Sequence, residues 1–485
     1  MEADISSNLP AFVLVGLPDA SVTESASRVR AATSNSKLNL PGRRITVNLS
    51  PASVPKQGSG FDLAIAMSVL GASGLVNKAE IAKVAFMGEL ALDGSIKPIN
   101  GLLPAIIAAK DLSIEKVIVP SANLTEAKLV TSVNVEGFDH LTQVARHFGA
   151  QIHAQPKVKV ELPIAGKDFP IPCFSDVLGQ PDAIEAMKVA AVGGHNLLMY
   201  GPPGAGKTML ASRLPGILPE LTEAEAIELC AIRSVARYHV DSLPVNPPFQ
   251  APHHTASLVS MVGGGGAQPK PGLVSLAHNG VLFLDEAPEF QADVLEALRQ
   301  PLESGQITIS RASGHAKFPA RFQLVLAANP CPCGHATGSG RQCICTAAAR
   351  LKYSNRISGP LADRLDLRLE LDSVNAALIN DPASPVTSAE LRKLVTLGRK
   401  LTTERLENTP WRTNSQVPGA YLRRELRLPR HTTHQLDIAL DRNVISMRGY
   451  DRCLRVAWSL ADLGGRTTPT REDLATAVYL RGSEM

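Results

Sequence analysis

A chain of 485 residues is too long for one hydrophobic core, so roughly two to four domains are expected. Apolar content of 44% and charged content of 19% fit a folded chain and exclude a disordered one. A net charge of +4 neither demands nor excludes nucleic acid, whereas 4% aromatics argue against an extended base-stacking platform. No apolar run approaches the ~20 residues that cross a bilayer. The start, MEADISSNLPAF, lacks a basic segment followed by an apolar one, so a reducing, cytoplasmic setting without membrane contact is expected.

Residues 1–150 alternate short β-branched runs (AFVLVG, RITVNLS, EKVIVP) with helical patterns (FDLAIAMSVLGAS, GLLPAIIAAK), which predicts an α/β domain. Residues 151–172 read as a linker, with prolines at 156, 163, 170 and 172 and alternating charge. Strands and helices alternate again over 173–375. Residues 376–485 are mostly helical, including SAELRKLVTLGRKLTTERL after Thr387 and SMRGYDRCLRVAWSLADLGG, which stops on glycine.

An apolar run leads into Gly201-Pro202-Pro203-Gly204-Ala205-Gly206-Lys207-Thr208-Met209, and a helical pattern follows. That strand–loop–helix context suits a phosphate-binding loop: glycines let backbone N–H groups converge on phosphate oxygens at a helix N-terminus. Lys207 is the expected partner of the β- and γ-phosphates, and Thr208 of Mg²⁺, so ATP and Mg²⁺ are the expected cofactors. The buried-strand pattern GVLFLDEAPEF ends on Asp285 and Glu286, a carboxylate pair suited to Mg²⁺ and to polarising a water. FQLVLAANP then brings Asn329, whose amide could orient the same water or simply make a turn before Pro330.

Four of the seven cysteines fall in CPCGHATGSGRQCIC, as Cys331, Cys333, Cys343 and Cys345. In a reducing compartment disulfides fit poorly, and four clustered thiolates can close a tetrahedral structural zinc site. C-x-C is tighter than the usual zinc spacing, His335 could replace one ligand, and unligated thiols are the alternative.

These stretches resemble the AAA+ ATPases of the magnesium-chelatase-like ComM/YifB family. The resemblance rests on FSDVLGQPDAIEAMKVAAVGGHNLLMYGPPGAGKT, APHHTASLVSMVGGG, GVLFLDEAPEF, LRQPLESGQITISRASGHAKFPARFQLVLAANPCPCG and RISGPLADRLDL, and covers nearly the whole chain. It implies an α/β P-loop core with a parallel sheet and a helical lid, assembled as a homohexamer with ATP between subunits. Arg364 matches the arginine finger, Arg356 is a second interface candidate, and Arg448 matches the sensor-2 arginine of the lid. HHTASLVSMVGGGGAQPKPG would be an insert in the second helix. ITISRASGHAKFPARF would be a hairpin facing the pore, with Arg311, His315, Lys317 and Arg321 as candidate phosphate contacts on branched or single-stranded DNA. His253 and His254 lack metal-like spacing and read as polar loop residues. Family members carry a further segment before a VEADIS-like strand, which implies that this chain lacks its first strand.

Residues 1–150 resemble the proteolytic domain of Lon proteases, of the ribosomal-S5-domain-2-like fold. VPKQGSGFDLAIAMSVL is similar to the segment carrying the Lon nucleophile, but Gly60 stands where the serine belongs and Ser59 is one place off. Leu103 occupies the position of the catalytic lysine, while Lys97 and Lys110 fall outside it. Without an amine to take the hydroxyl proton, a Ser–Lys dyad cannot work, so a non-proteolytic domain is expected. The resemblance implies an ATP-driven DNA motor of the ComM type, a helicase promoting branch migration in recombination or natural transformation. A magnesium-chelatase motor subunit remodelling a partner protein is the alternative, and an ATP-dependent protease a weaker one.

Overall fold

The computed structural model describes residues 1–51, 56, 58–153, 171–265, 269–311, 314–336, 343–372 and 385–482. The expected linker lies almost wholly outside the described residues, as do the tip of the 306–319 hairpin, the side chain of Arg311 and the boundary near 375. The chain divides into two compact units, residues 1–167 with 226–243, and 168–225 with 244–485.

In the first unit, β1 (Glu2–Ser6), β2 (Ala11–Val15) and β3 (Arg44–Asn48) form a sheet in which β3 is central, antiparallel to β1 and parallel to β2. A second, parallel sheet orders β4 (Val84–Phe86), β7 (Lys116–Pro120) and β8 (Asn134–Phe138), while β5 (Glu89–Leu90) and β6 (Ile96–Lys97) make a short hairpin. The helix Asp62–Ala72 is apolar nearly all round, and the structure buries it: Leu63, Ile65, Ala66, Met67, Val69 and Leu70 are fully inaccessible. Residues 226–243 belong to this unit although they fall in chain order within the second block. Cys230 and Val240 join Leu102, Ile106 and Val117 in one apolar cluster, and the Gly101 N–H donates to the Ser234 carbonyl at 3.2 Å.

In the second unit, β9 (Leu197–Tyr200), β10 (Phe249–Gln250), β13 (Gly280–Leu284), β16 (Phe322–Ala328) and β17 (Leu367–Glu370) form one parallel sheet, ordered β10-β13-β16-β9-β17. All five residues of β13 are buried, as expected of a parallel strand covered on both faces. Two antiparallel pairs stand apart from it: β11 (Gly263–Gly264) with β12 (Lys270–Pro271), and β14 (Gln306–Arg311) with β15 (Gly314–Pro319). The helix Ser388–Arg405 starts at Thr387 with a reciprocal capping box through Glu390, and Met447–Leu463 is capped by Ser446. These helices share one core with the sheet through Val395, Leu454, Ala457 and Trp458. The start of β17 is tied to the lid by a buried relay: Asp366 accepts from His195 Nδ1 at 3.0 Å, and His195 Nε2 meets Ser459 Oγ at 2.8 Å. Among the described residues no helix is long and apolar enough to cross a membrane.

Candidate nucleotide site

The loop after β9 turns on Gly204 and Gly206, with φ of +81° and +85°, conformations that a side chain would strain. Gly201 is fixed for a different reason: a Cβ there would stand 2.6 Å from the Leu371 carbonyl oxygen. Gln180 Nε2 donates to the Ala205 carbonyl at 2.8 Å and steadies the loop. Lys207 begins the helix Lys207–Ile217, and its ammonium donates to the carbonyls of Gly201 (2.6 Å) and Pro202 (2.9 Å) and to Asn329 Oδ1 (3.0 Å). Burial pushes the Lys207 pKa down, and the charges of Asp285 and Glu286 offset only part of that.

Thr208 Oγ1 donates to Asp285 Oδ2 at 2.6 Å, and Asp285 Oδ1 accepts the Glu286 N–H at 2.9 Å. Glu286 sits at φ +51°, a left-handed conformation that costs a non-glycine residue on the order of 1 kcal/mol and is concentrated at functional sites. Neighbouring parallel strands β9, β13 and β16 therefore bring Lys207, Thr208, Asp285, Glu286 and Asn329 together at their carboxyl ends. One partner went unseen in the sequence: His254, four residues beyond β10, places Nδ1 3.3 Å from Glu286 Oε2, with the His253 ring 4.1 Å from its own. The pairing of β10 with β13 aligns the two segments, and a lone sequence gives no sign of that register.

The arginines lie apart from this cluster in their contacts. Arg364 pairs with Glu303, and its backbone carbonyl accepts from Asn196 at 2.9 Å. Arg448, on the lid, donates to Asp363 Oδ2 at 2.9 Å, so it meets the residue beside Arg364. Arg356 donates to the Pro288 carbonyl (2.8 Å) and Glu289 (2.9 Å), in the turn just past Glu286.

His315 and Lys317 are exposed on alternate positions of β15, hence on one face of the hairpin, opposite Ser310 and Thr308. His315 Nδ1 contacts Ser310 Oγ at 2.9 Å. Arg321 lies at the base, between β15 and β16, with its side chain stem against Gly305.

The four cysteines converge. Cys331 Sγ is 3.3 Å from Cys333 Sγ and 3.7 Å from Cys343 Sγ, Cys333 and Cys343 are 3.8 Å apart, and all four sulfurs lie within 4.8 Å of one another. All are free thiols, and Cys331 is wholly buried. Hydrogen bonds from the backbone of His335 and Ile344 draw the Cys333 pKa down to about 6, while those of Cys343 and Cys345 are pushed up, so the cluster favours one thiolate among neutral thiols. This donor set fits a tetrahedral zinc ion.

In the first unit, Leu103 is fully buried within the helix Leu102–Asp111. Ser59 donates to the Glu89 carboxylate, and the Lys56 ammonium reaches the Pro51 carbonyl rather than Ser59. No amine is paired with Ser59 among the described residues.

A parallel sheet in this order, with a phosphate loop after one strand and an Asp–Glu pair after another, defines a P-loop NTPase of the AAA+ class. Comparison with known proteins narrows the class. Residues 173–379 match the family described as magnesium chelatase, subunit ChlI; residues 1–123 match subunit ChlI of Mg-chelatase; residues 385–481 match the C-terminal part of that subunit. An uncharacterized protein of Mycobacterium tuberculosis is 45% identical over 485 residues, covering 99% of this chain and 95% of its own. The competence protein ComM of Haemophilus influenzae is 41% identical over 485 residues (99% and 94%), and YifB of Escherichia coli 40% over 484 (99% and 93%). Lon protease 2 of Bacillus subtilis is 30% identical over 173 residues, 33% of this chain, in keeping with a Lon-like first unit. The chain belongs to the ComM/YifB family of magnesium-chelatase-like AAA+ ATPases.

Proposed function

We propose that this protein is an ATP-driven hexameric motor that moves branched DNA, in the manner of a branch-migration helicase. The observation that carries this reading is the assembled cluster of Lys207, Asn329, Thr208, Asp285 and Glu286, in a chain 41% identical to a competence protein. In this reading the Lys207 ammonium, now satisfied by carbonyl and amide oxygens, turns to the β- and γ-phosphates of ATP. Thr208 and Asp285 would hold Mg²⁺, which supplies neutralisation of phosphate charge. Glu286 polarises the attacking water, and Asn329 orients it. Arg364 reaches toward a neighbouring subunit's γ-phosphate, and Arg448, which donates to the adjacent Asp363, serves as the sensor-2 arginine of the lid. His315 and Lys317 contact DNA phosphates from one hairpin face, with Arg311 and Arg321 as further contacts. The four cysteines hold a structural zinc ion that closes the loop after Asn329. The Lon-like unit is non-proteolytic, since Leu103 buries an apolar side chain where the dyad needs an amine.

The family matches along the chain favour a second reading, a motor that remodels a protein partner as magnesium-chelatase subunits do. ATP turnover measured with linear duplex, single-stranded and four-way-junction DNA separates the two. A DNA motor is stimulated several-fold, most by the junction, and the stimulation falls as salt rises. Turnover indifferent to every DNA, together with no DNA binding at low salt, would overturn the DNA reading and leave the protein-remodelling one.

A further inference from the structure

The cysteine centre touches the phosphate loop. Gly334, one residue past Cys333, lies so close to Pro203 that an added Cβ would stand 2.7 Å from both Cγ and Cδ of that proline. The Gly334 N–H donates to the Cys331 carbonyl at 3.0 Å and closes a turn around the first two thiols, with φ of +81° at Gly334. On the other side of Cys331, two residues back, Asn329 holds the Lys207 ammonium at 3.0 Å. The cysteine loop therefore grips the nucleotide loop at both ends, at Pro203 and at Lys207. Yet residues 331–336 and 343–346 lie in no helix or strand, and contacts of the Cys343 sulfur with those of Cys331 and Cys333 join the two segments. A tetrahedral site with Zn–S bonds of about 2.3 Å sets its sulfurs about 3.8 Å apart; the separations among Cys331, Cys333 and Cys343 are 3.3, 3.7 and 3.8 Å, and all four sulfurs lie within 4.8 Å of one another.

We propose that the metal in the four-cysteine centre sets the affinity of the nucleotide site, by bracing Gly334 against Pro203 and Asn329 against Lys207. The inference rests on the zinc reading above and adds a consequence to it. Metal-free thiols let the loop sample other arrangements, and apparent affinity falls by the fraction of molecules that keep the braced one. If about a tenth do, the dissociation constant rises about tenfold. The coupling is reciprocal, so bound nucleotide retards loss of the metal by the same free energy.

The test uses the full chain. Zinc is counted by elemental analysis, and a fluorescent ATP analogue is titrated before and after chelation, with the chelator removed and Mg²⁺ resupplied. The expected result is near one zinc per chain, about tenfold weaker binding after stripping, recovery on adding zinc, and unchanged far-ultraviolet circular dichroism. Pro203→Ala keeps all four thiols and the left-handed turn at Gly334 but removes the ring that Gly334 packs against; it should keep the zinc and still weaken the analogue. Release of zinc to a colorimetric chelator should slow in saturating ATP, which checks the coupling on unmutated protein. A zinc-loaded protein whose nucleotide affinity is the same after stripping, and whose zinc release ignores ATP, overturns the inference. Absence of zinc from protein prepared without chelator overturns the zinc reading itself. Lys207→Ala is the control for the nucleotide site and should bind no analogue in either state.

Discussion

His254 Nδ1 lies 3.3 Å from Glu286 Oε2, and the glutamate backbone is left-handed at φ +51°. The imidazole thus engages the carboxylate proposed to activate water. His254→Ala frees that carboxylate and should raise basal ATP turnover a few-fold with nucleotide affinity unchanged. Glu286→Gln should bind ATP and turn it over at least about a hundredfold more slowly. Steady-state turnover beside analogue binding checks both; rapid hydrolysis by Glu286→Gln would remove the glutamate from its role.

Arg448 reaches Asp363, the residue before Arg364. Arg364→Ala should retain ATP binding and hexamer formation and lose about a thousandfold in turnover, the lower end of what an arginine finger supplies. Arg448→Ala should fall in the same direction by less. Single-turnover hydrolysis with sedimentation of the assembled ring reads the two effects separately.

Asp366 is buried, which pushes its pKa up, but the hydrogen bond from His195 and the charges of His195, Arg455 and Arg452 outweigh burial and hold it below the usual carboxylate range. A depressed carboxylate stabilises the fold above its unfolded pKa and loses that contribution as pH falls below about 4. Acid unfolding of the second unit should therefore begin there. Asp366→Asn should destabilise the unit by about 3 kcal/mol at neutral pH, since it removes the buried carboxylate that holds His195 at 3.0 Å and lies 3.9 Å from buried Arg452. Urea titrations at pH 7 and pH 3 give the check: the gap between wild type and variant should hold down to about pH 4 and shrink below it.

The strands and helices around the phosphate loop were legible because burial writes itself into apolar runs, as in β13, and caps into Thr387 and Ser446. That Lys207, Thr208, Asp285, Glu286 and Asn329 come together was legible because each follows closely on an apolar strand pattern, and the structure brings those strand ends side by side. His254 was not, since its role depends on the register of β10 against β13 rather than on local spacing. Nor was the membership of residues 226–243 in the first unit, because Cys230 and Val240 look like ordinary core residues wherever they are buried. The Gly334–Pro203 contact joins residues 131 positions apart (334 − 203) and leaves no periodic trace.

In the proposed function, ATP hydrolysis at Lys207, Asp285 and Glu286 drives strand movement in branched DNA. A strand-displacement assay on a labelled four-way junction with ATP and Mg²⁺, wild type beside Lys207→Ala, tests it most directly. Wild type should displace the strand in an ATP-dependent manner, and Lys207→Ala should displace none. Wild-type protein that hydrolyses ATP yet leaves the junction intact, or a Lys207→Ala variant that displaces strands equally well, would contradict it.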